Sequence, residues 1–266
     1  MAAQHPRRAT RGGMHILVFG DKEALGREAA RRVAALLSDA VAARGTANVI
    51  FATGASQYEF LAALIDALCS MEAPWDRVTA FHLDEYLGLP EEHPASFRRY
   101  LRERLFNHLP FAAVHLLRGD APDPVAEAQR YEALLRAVAI DVACIGIGEN
   151  GHLAFNDPPA DFDSPHLVNV VALDRACRMQ QVGEGHFASL EDVPERALSL
   201  SIPAILAARV ISCVVPDRRK AEAVRGALEG RITPDCPASA LRRHNQVYLY
   251  LDEASASLLA AGTSAE

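Results

Sequence analysis

A nearly continuous apolar run leads into a glycine-rich loop near the middle of the chain, where residues 141–156 read DVACIGIGENGHLAFN. A short apolar run of this kind predicts a strand buried on both faces of a parallel sheet. His152 lies in the loop that follows, with Asn150 and Asp157 available to orient its ring. A histidine in such a loop is a candidate acid–base group, and a structural histidine is the alternative.

Outside this loop, short apolar runs alternate with longer amphipathic patterns. Helices are expected over 22–44, 58–69, 96–109, 124–138 and 217–228, and strands over 15–19, 48–53, 77–83, 114–117, 141–147, 168–173, 197–202, 209–215 and 246–251. This alternation implies right-handed crossovers and a mostly parallel central sheet flanked by helices. We therefore expect a single Rossmann-like α/β domain over residues 14–266, preceded by a disordered N-terminal tail at 1–13.

The composition narrows the class of protein. The 266 residues are 50% hydrophobic and 23% charged, which is ordinary for a globular chain. A net charge of -7 argues against nucleic acid or an anionic membrane surface as the main partner. The five cysteines are scattered and form no C-x-x-C pair, so neither a disulfide framework nor a zinc site is expected. No signal peptide or membrane span is indicated, and we expect a cytoplasmic protein.

A glycine-containing turn follows the strand predicted at 48–53. Its residues Thr53, Gly54, Ala55 and Ser56 come directly before a helix, whose N-terminus presents free backbone N–H groups and the positive end of the helix dipole. Such a turn suits a phosphate group, but ordinary N-capping accounts for the same residues.

Two further strand ends carry ionisable groups. Asp84 and Glu85 end an apolar strand and are candidates for proton transfer, with turn capping by Asp84 and a solvated Glu85 as the alternative. Lys220 begins the helix after the strand at 209–215, and only two of the 27 basic residues are lysine. A lysine there suggests a point-charge contact to phosphate, and a solvated charge run is the alternative. Because ligands of open α/β sheets bind at the carboxyl ends of strands, these groups are expected to share one site.

Taken in order, these blocks resemble the glucosamine-6-phosphate deaminase (isomerase) family, whose relatives include 6-phosphogluconolactonases. Five blocks match: the strand–Thr-Gly–Ser turn at 51–57, Asp-Glu-Tyr-x-Gly-Leu-Pro at 84–90 with His93, Pro94 and Ser96 after it, Gly-x-Gly-x-x-Gly-His-x-Ala-Phe-Asn at 146–156, the Pro–Ala–Leu strand entry at 194–198, and the Lys220 helix that ends in Leu228-Glu229-Gly230. The lactonase branch typically carries an arginine in place of Tyr86 and Gly-His-Thr-Ala-Ser in the third block. Both differences favour the amino-sugar branch.

The resemblance implies a single-domain enzyme that converts D-glucosamine 6-phosphate and water into D-fructose 6-phosphate and ammonia, without a metal or organic cofactor. It implies that Asp84 is the base that moves a proton from C2 to C1 and that His152 opens the pyranose ring. The implied phosphate and substrate contacts are Thr53, Gly54, Ala55, Ser56, Glu85, Gly151 and Lys220. The oligomeric state stays open, since some family members are monomers and others are hexamers.

Three features depart from the family pattern. Asn150 and Asp157 stand where an Asp and a Glu usually hold and polarise the imidazole, so the imidazolium is expected to be less stabilised. The family's Asn-Ser-Arg-Phe-Phe segment, whose arginine helps to bind phosphate, is missing after Arg178. Arg178 and His186 are the candidates to replace that second cation.

Two other interpretations stay open at this point. One is a related enzyme with another substrate, such as a galactosamine-6-phosphate deaminase, a plain aldose–ketose isomerase or a 6-phosphogluconolactonase. The other is a non-catalytic sugar-phosphate sensor. Retention of both Asp84 and His152 disfavours the sensor, because a pure binding protein has little need for a pair of proton-transfer groups.

Overall fold

Strands and helices alternate along the residues that the computed structural model describes, which are 6–11, 13–66 and 74–260. The strands are β1 (Arg7–Arg11), β2 (Met14–Phe19), β3 (Ala47–Phe51), β4 (Val78–His82), β5 (Asp84–Tyr86), β6 (Ala113–His115), β7 (Val142–Ile145), β8 (Val168–Ala172), β9 (Arg196–Leu200), β10 (Val210–Val215) and β11 (Val247–Asp252). The α-helices are α1 (Lys22–Arg44), α2 (Tyr58–Asp66), α3 (Phe97–Leu101), α4 (Pro124–Arg136), α5 (Arg175–Gly183), α6 (Ile202–Leu206) and α7 (Ala221–Glu229). The predicted α/β class is confirmed.

The main sheet has eight strands in the order β1-β2-β11-β10-β7-β3-β4-β6. All neighbouring pairs are parallel except β1 and β2. From β3 the chain moves outward through β4 to β6, whereas from β7 it moves the opposite way through β10 to β11. The strand order therefore reverses between β3 and β7, and a crevice opens beyond their carboxyl ends, where ligands of open α/β sheets bind.

Burial on both faces explains why the central strands read as apolar runs. Every residue of β7 and β10 is buried, and separate apolar clusters pack against the two faces of the sheet. Helix α1 covers one face and is defined at both ends. Asp21 caps its N-terminus through the backbone N–H of Ala24, and Gly45 ends it in the left-handed conformation.

A second, three-stranded antiparallel sheet has the order β5-β9-β8. The strands expected at 168–173 and 197–202 form here, so they do not extend the parallel sheet. Leu83 joins the two sheets: its N–H donates to the Phe51 carbonyl of β3, and its own carbonyl accepts from the N–H of Leu200 in β9.

Two local expectations are corrected. Arg7–Arg11 form the edge strand β1, which pairs with β2, so the disordered tail expected at 1–13 is wrong for these residues; residues 1–5 and 12 lie outside the described part. The helix expected over 96–109 is α3 followed by a π-helical turn at Arg102–Phe106. Residues 67–69 of the helix expected over 58–69 also lie outside the described part.

Helix α5 was not predicted at all, although Asp174 is a clear N-cap whose carboxylate accepts from the Cys177 N–H. Within the described ranges, no helix is long and apolar enough to span a bilayer.

Candidate active site

A cleft lies beyond the carboxyl ends of β3, β4, β7 and β10, at the point where the strand order reverses. The glycine-containing turn, the strand-end carboxylate, the glycine-rich loop and the predicted lysine all contribute to it. The polar and glycine residues that line it are Thr53, Gly54, Ser56, Asp84, Gly146, Gly148, His152, Gln180, Gln181, Glu184 and Lys220. The sequence prediction that these motifs share one site is therefore consistent with the fold.

The turn after β3 is shaped to expose backbone N–H groups. Gly54 has a φ of 99°, a conformation that a side chain would strain, and its carbonyl accepts a hydrogen bond of 2.8 Å from the Tyr100 hydroxyl. Residues 55–57 form a single 3₁₀ turn that leads into α2. The Ser56 hydroxyl accepts from the Gln57 side chain at 3.0 Å and lines the cleft instead of capping the turn. A small anion fits such a turn.

Asp84 is the first residue of β5 and faces the cleft while being only 6% exposed. Its Oδ1 atom is buried and has no hydrogen-bond partner among the described residues. Burial, together with the charge of Glu85, raises the pKa of Asp84 to about 8. A carboxyl group with this pKa is mostly protonated at pH 7, but its pKa is close enough to neutral pH for it both to give up and to take back a proton.

Glu85 was expected to bind substrate, and this expectation is wrong, because successive side chains of a strand point to opposite sides. Its carboxylate lies in the interior and accepts hydrogen bonds from the Ser96 hydroxyl (2.9 Å) and the backbone N–H groups of Phe97 (3.1 Å) and Arg98 (2.9 Å). The Arg98 guanidinium, itself buried, completes the ion pair at 3.3 Å. Glu85 therefore anchors the segment that carries Asp84.

His152 packs closely against the loop that precedes it. A Cβ atom on Gly148 would lie far inside van der Waals contact of the imidazole, so only glycine fits there. The Nδ1 atom of His152 lies 3.2 Å from Asp157 Oδ1, and its Nε2 atom is on the Gly148 side of the ring. His152 lines the cleft, whereas Gly151 does not: its φ of 86° shapes the turn.

Asn150 supports this arrangement without touching the imidazole. Its side-chain oxygen accepts from the backbone N–H of His152 at 3.1 Å, and its Nδ2 donates to Asp157 (3.2 Å) and Asp174 (3.4 Å). Burial alone would raise the pKa of Asp157, but its contacts with His152, the Asp174 N–H and Asn150 lower it overall. Asp157 is thus the ionised partner of the ring, and Asn150 separates two carboxylates.

Lys220 supplies the cation at the other end of the cleft. It is 5% exposed, ends the 3₁₀ turn at Arg218–Lys220 and directly precedes α7. Burial lowers the pKa of Lys220, and the negative charge of Glu184 opposes that effect. Glu184 is held by Gln180, whose amide donates to it at 2.8 Å, and by His186 at 3.5 Å. Its hydrogen bond with His186 and the positive charge of Lys220 outweigh burial and lower the pKa of Glu184.

The two candidates for a second phosphate cation do not line the cleft. The Arg178 guanidinium donates to the carbonyls of Leu190 (2.7 Å) and Val193 (2.9 Å), away from the site, so that expectation is wrong. His186 contacts Glu184 from behind. The residues that the sequence reasoning missed are Gln180, Gln181 and Glu184, all on or just after the unpredicted helix α5.

Comparison with known proteins points to one family. A family model described as glucosamine-6-phosphate isomerases/6-phosphogluconolactonase matches residues 20–249. A glucosamine-6-phosphate deaminase of an Exiguobacterium species is 44% identical over 71% of this chain and 72% of its own length. The deaminase of Bacillus pumilus is 35% identical over 92% of this chain and its full length.

Solved structures give the same picture. A monomeric glucosamine-6-phosphate deaminase superposes with a TM-score of 0.85 at 34% identity, covering 92% of this chain and 99% of its own. The 6-phosphogluconolactonase of Trypanosoma brucei superposes with a TM-score of 0.76 at 20% identity, covering 92% of this chain and 98% of its own, which shows a shared fold. The chain belongs to the family of glucosamine-6-phosphate isomerases and 6-phosphogluconolactonases.

Proposed function

We propose that this protein is a glucosamine-6-phosphate deaminase, which converts D-glucosamine 6-phosphate and water into D-fructose 6-phosphate and ammonia. One observation carries the proposal: a carboxyl group with a pKa of about 8, Asp84, and an imidazole paired with a carboxylate, His152, line the same cleft as an anion-binding turn and a buried lysine. Relatives named as this deaminase are 35–44% identical over most of the chain, which supports the choice of substrate.

Binding begins at the phosphate group. The backbone N–H groups of the turn at 54–56 and the Lys220 ammonium group neutralise the dianion, which places C6 at that end of the cleft. His152 then opens the ring by taking the proton of the C1 hydroxyl and delivering it to the ring oxygen. The ionised Asp157 beside Nδ1 stabilises the imidazolium that forms between these two transfers.

Asp84 carries out the isomerisation. As a carboxylate it removes the proton from C2 and, as an acid, returns it to C1 of the enolamine, which leaves an iminium at C2. Water adds to C2 and ammonia departs, so that the ketone of fructose 6-phosphate remains. The buried Oδ1 of Asp84 is suited to this transfer between neighbouring carbons, because no group among the described residues competes for its lone pairs.

Ammonia release from D-glucosamine 6-phosphate, followed by a coupled assay, tests the proposal. Galactosamine 6-phosphate and 6-phosphogluconolactone serve as competing substrates, and Asp84→Asn is compared with Asp39→Asn, a matched change at an exposed position on α1. We expect ammonia release with the gluco substrate and its loss only in Asp84→Asn. Lactone hydrolysis without ammonia release, or full activity of Asp84→Asn, refutes the assignment.

A further inference from the structure

A cluster of three different donor atoms lies behind the proposed catalytic imidazole. A ring nitrogen of His152, a carboxylate oxygen of Asp157 and the Sγ atom of Cys177 all lie within 4.8 Å of one another, and the His152 Nδ1 atom is the one nearest Asp157, at 3.2 Å. The first two residues come from the segment after β7, and Cys177 comes from the first turn of α5. The proposed deamination uses His152 and Asp157 but gives no role to the thiol.

The three groups differ in how well the protein satisfies them. The Nδ1 atom is buried, and although it lies 3.2 Å from Asp157 Oδ1, it makes no hydrogen bond of good geometry with a described residue. Asp157 accepts hydrogen bonds from the Asn150 side chain (3.2 Å) and the Asp174 N–H (3.0 Å). Cys177 is 1% exposed. The cluster thus brings together a carboxylate, a nitrogen without a good hydrogen bond and a buried thiol.

We propose that His152, Asp157 and Cys177 form an inhibitory binding site for a borderline-soft divalent cation such as Zn²⁺. Imidazole nitrogen, carboxylate oxygen and thiolate sulfur are the ligands this ion takes in proteins, at about 2.0–2.3 Å. Those bond lengths separate tetrahedral ligands by roughly 3.3–3.8 Å. The His152–Asp157 pair already lies at 3.2 Å, and the Cys177 thiol is within 4.8 Å of both groups. On binding, the Cys177 proton leaves to solvent and the thiolate bonds to the metal.

The consequence for activity rests on the proposed function. A neutral imidazole has one nitrogen with a free lone pair and one that carries hydrogen. A cation bound at Nδ1 takes that lone pair and leaves Nε2 carrying the hydrogen, so the ring can no longer accept the proton of the C1 hydroxyl. The cation also neutralises Asp157, which removes the charge that stabilises the imidazolium.

Inhibition by Zn²⁺ tests the effect, with Mg²⁺ as the hard-cation comparison. Wild type, Cys177→Ala and Cys213→Ala are first dialysed against a chelator. Ammonia release is then measured over a range of concentrations of each ion and normalised to the metal-free rate of the same variant. Cys213 is a matched buried cysteine in β10, outside the cluster. Zn²⁺ should inhibit wild type and Cys213→Ala alike, and Cys177→Ala should need roughly 10- to 100-fold more Zn²⁺. Equal Zn²⁺ sensitivity of Cys177→Ala, or equal inhibition by Mg²⁺, overturns the proposal.

A binding measurement separates this proposal from the proposed function. Titration with Co²⁺, which reports a bound thiolate by near-ultraviolet absorption, needs no turnover and applies even if the protein has no deaminase activity. We expect the absorption in wild type and Cys213→Ala, its loss in Cys177→Ala, and weaker binding in Asp157→Asn. Absence of the band in wild type overturns the metal site and leaves the deaminase assignment standing. A protein that binds Co²⁺ with this pattern but releases no ammonia retains the site and loses the assignment.

Discussion

Replacing Asp84 by asparagine should abolish activity and, at the same time, stabilise the fold. The substitution keeps the shape of the side chain but removes its charge. Asp84 is buried, its Oδ1 has no described partner, and Glu85 lies next to it. Ionisation of Asp84 therefore destabilises the folded protein, and an amide at this position avoids that destabilisation.

The size of the effect follows from the pKa of Asp84, which rises from 3.8 to about 8 on folding. A shift of roughly 4 units corresponds to about 6 kcal/mol. Below pH 4, Asp84 is protonated in both the folded and the unfolded protein, so its ionisation does not affect stability. Between pH 4 and 8 only the unfolded protein loses the Asp84 proton, so the free energy of unfolding of the wild type falls as pH rises. Asp84→Asn should therefore match wild type near pH 4 and exceed it by several kcal/mol at pH 8.5.

The catalytic rate of the wild type should rise with pH, whereas its stability falls. Because a base must be ionised, about a tenth of wild-type molecules are competent at pH 7 and most are at pH 9, so kcat/KM should rise roughly tenfold between these values. Loss of the base should lower kcat by at least 10²-fold at every pH.

Urea unfolding at pH 5, 7 and 8.5, together with the pH profile of ammonia release, measures both quantities, with Asp39→Asn as the control. A variant that is no more stable than wild type at pH 8.5, or a wild-type rate that is flat from pH 7 to 9, refutes the reasoning.

Four further substitutions have distinct expected outcomes. Gly148→Ala forces a methyl group into the His152 ring, so kcat should fall on the order of 100-fold while the protein stays folded by circular dichroism. Lys220→Gln removes a charged contact to phosphate and should raise KM about 10- to 100-fold with a smaller change in kcat, as steady-state kinetics will measure. Glu184→Gln removes a negative charge from the anion end of the cleft, so KM should fall by about 3- to 10-fold. Glu85→Gln removes the charge of a buried carboxylate that accepts from Arg98, while Arg98 keeps its ion pair with Asp120, and should lower the free energy of unfolding by about 1.5–3 kcal/mol in urea.

Matched controls accompany the first three of these changes. Gly183→Ala adds a methyl group where the surroundings are open, Arg218→Gln removes an exposed cation beside Lys220, and Glu191→Gln removes an exposed carboxylate. Each control should keep wild-type kinetics. Gly148→Ala at full rate, an unchanged KM in Lys220→Gln, or a raised KM in Glu184→Gln would contradict the site as described.

Most of the parallel sheet was predictable because its strands are buried on both faces and read as apolar runs, as β7 does. The edge strand β1 was not, since Arg7–Arg11 carry no apolar pattern and the strand depends on backbone pairing with β2. The second sheet was not predictable either. A strand pattern at 168–173 is local, but the choice of its partner depends on contacts between distant segments.

The candidate site was also predictable from the sequence only in part. Asp84, His152 and Lys220 stand out because strand ends before glycine or helix turns concentrate ligand-binding groups. The orientation of Glu85 was missed because β5 continues the strand pattern past the point where a loop was expected. The cleft residues of α5 were missed because its mixed polar sequence hides the helix that Asp174 begins.

A single residue, Leu83, connects β4 of the large sheet to β5 of the small sheet and so sets the spacing of the reactive groups. The anion-binding turn at 54–56 follows a strand of the large sheet, whereas the base, Asp84, lies on the small sheet. Leu83 is hydrogen-bonded to a strand of each sheet. Inserting or deleting a single residue there would exchange the two neighbouring carboxylates, turning Glu85 toward the sugar and Asp84 into the protein interior. Surface loops tolerate added residues. At Leu83, in contrast, the number of residues sets the distance between the base and the anion-binding turn, and with it the length of the sugar phosphate that fits between them.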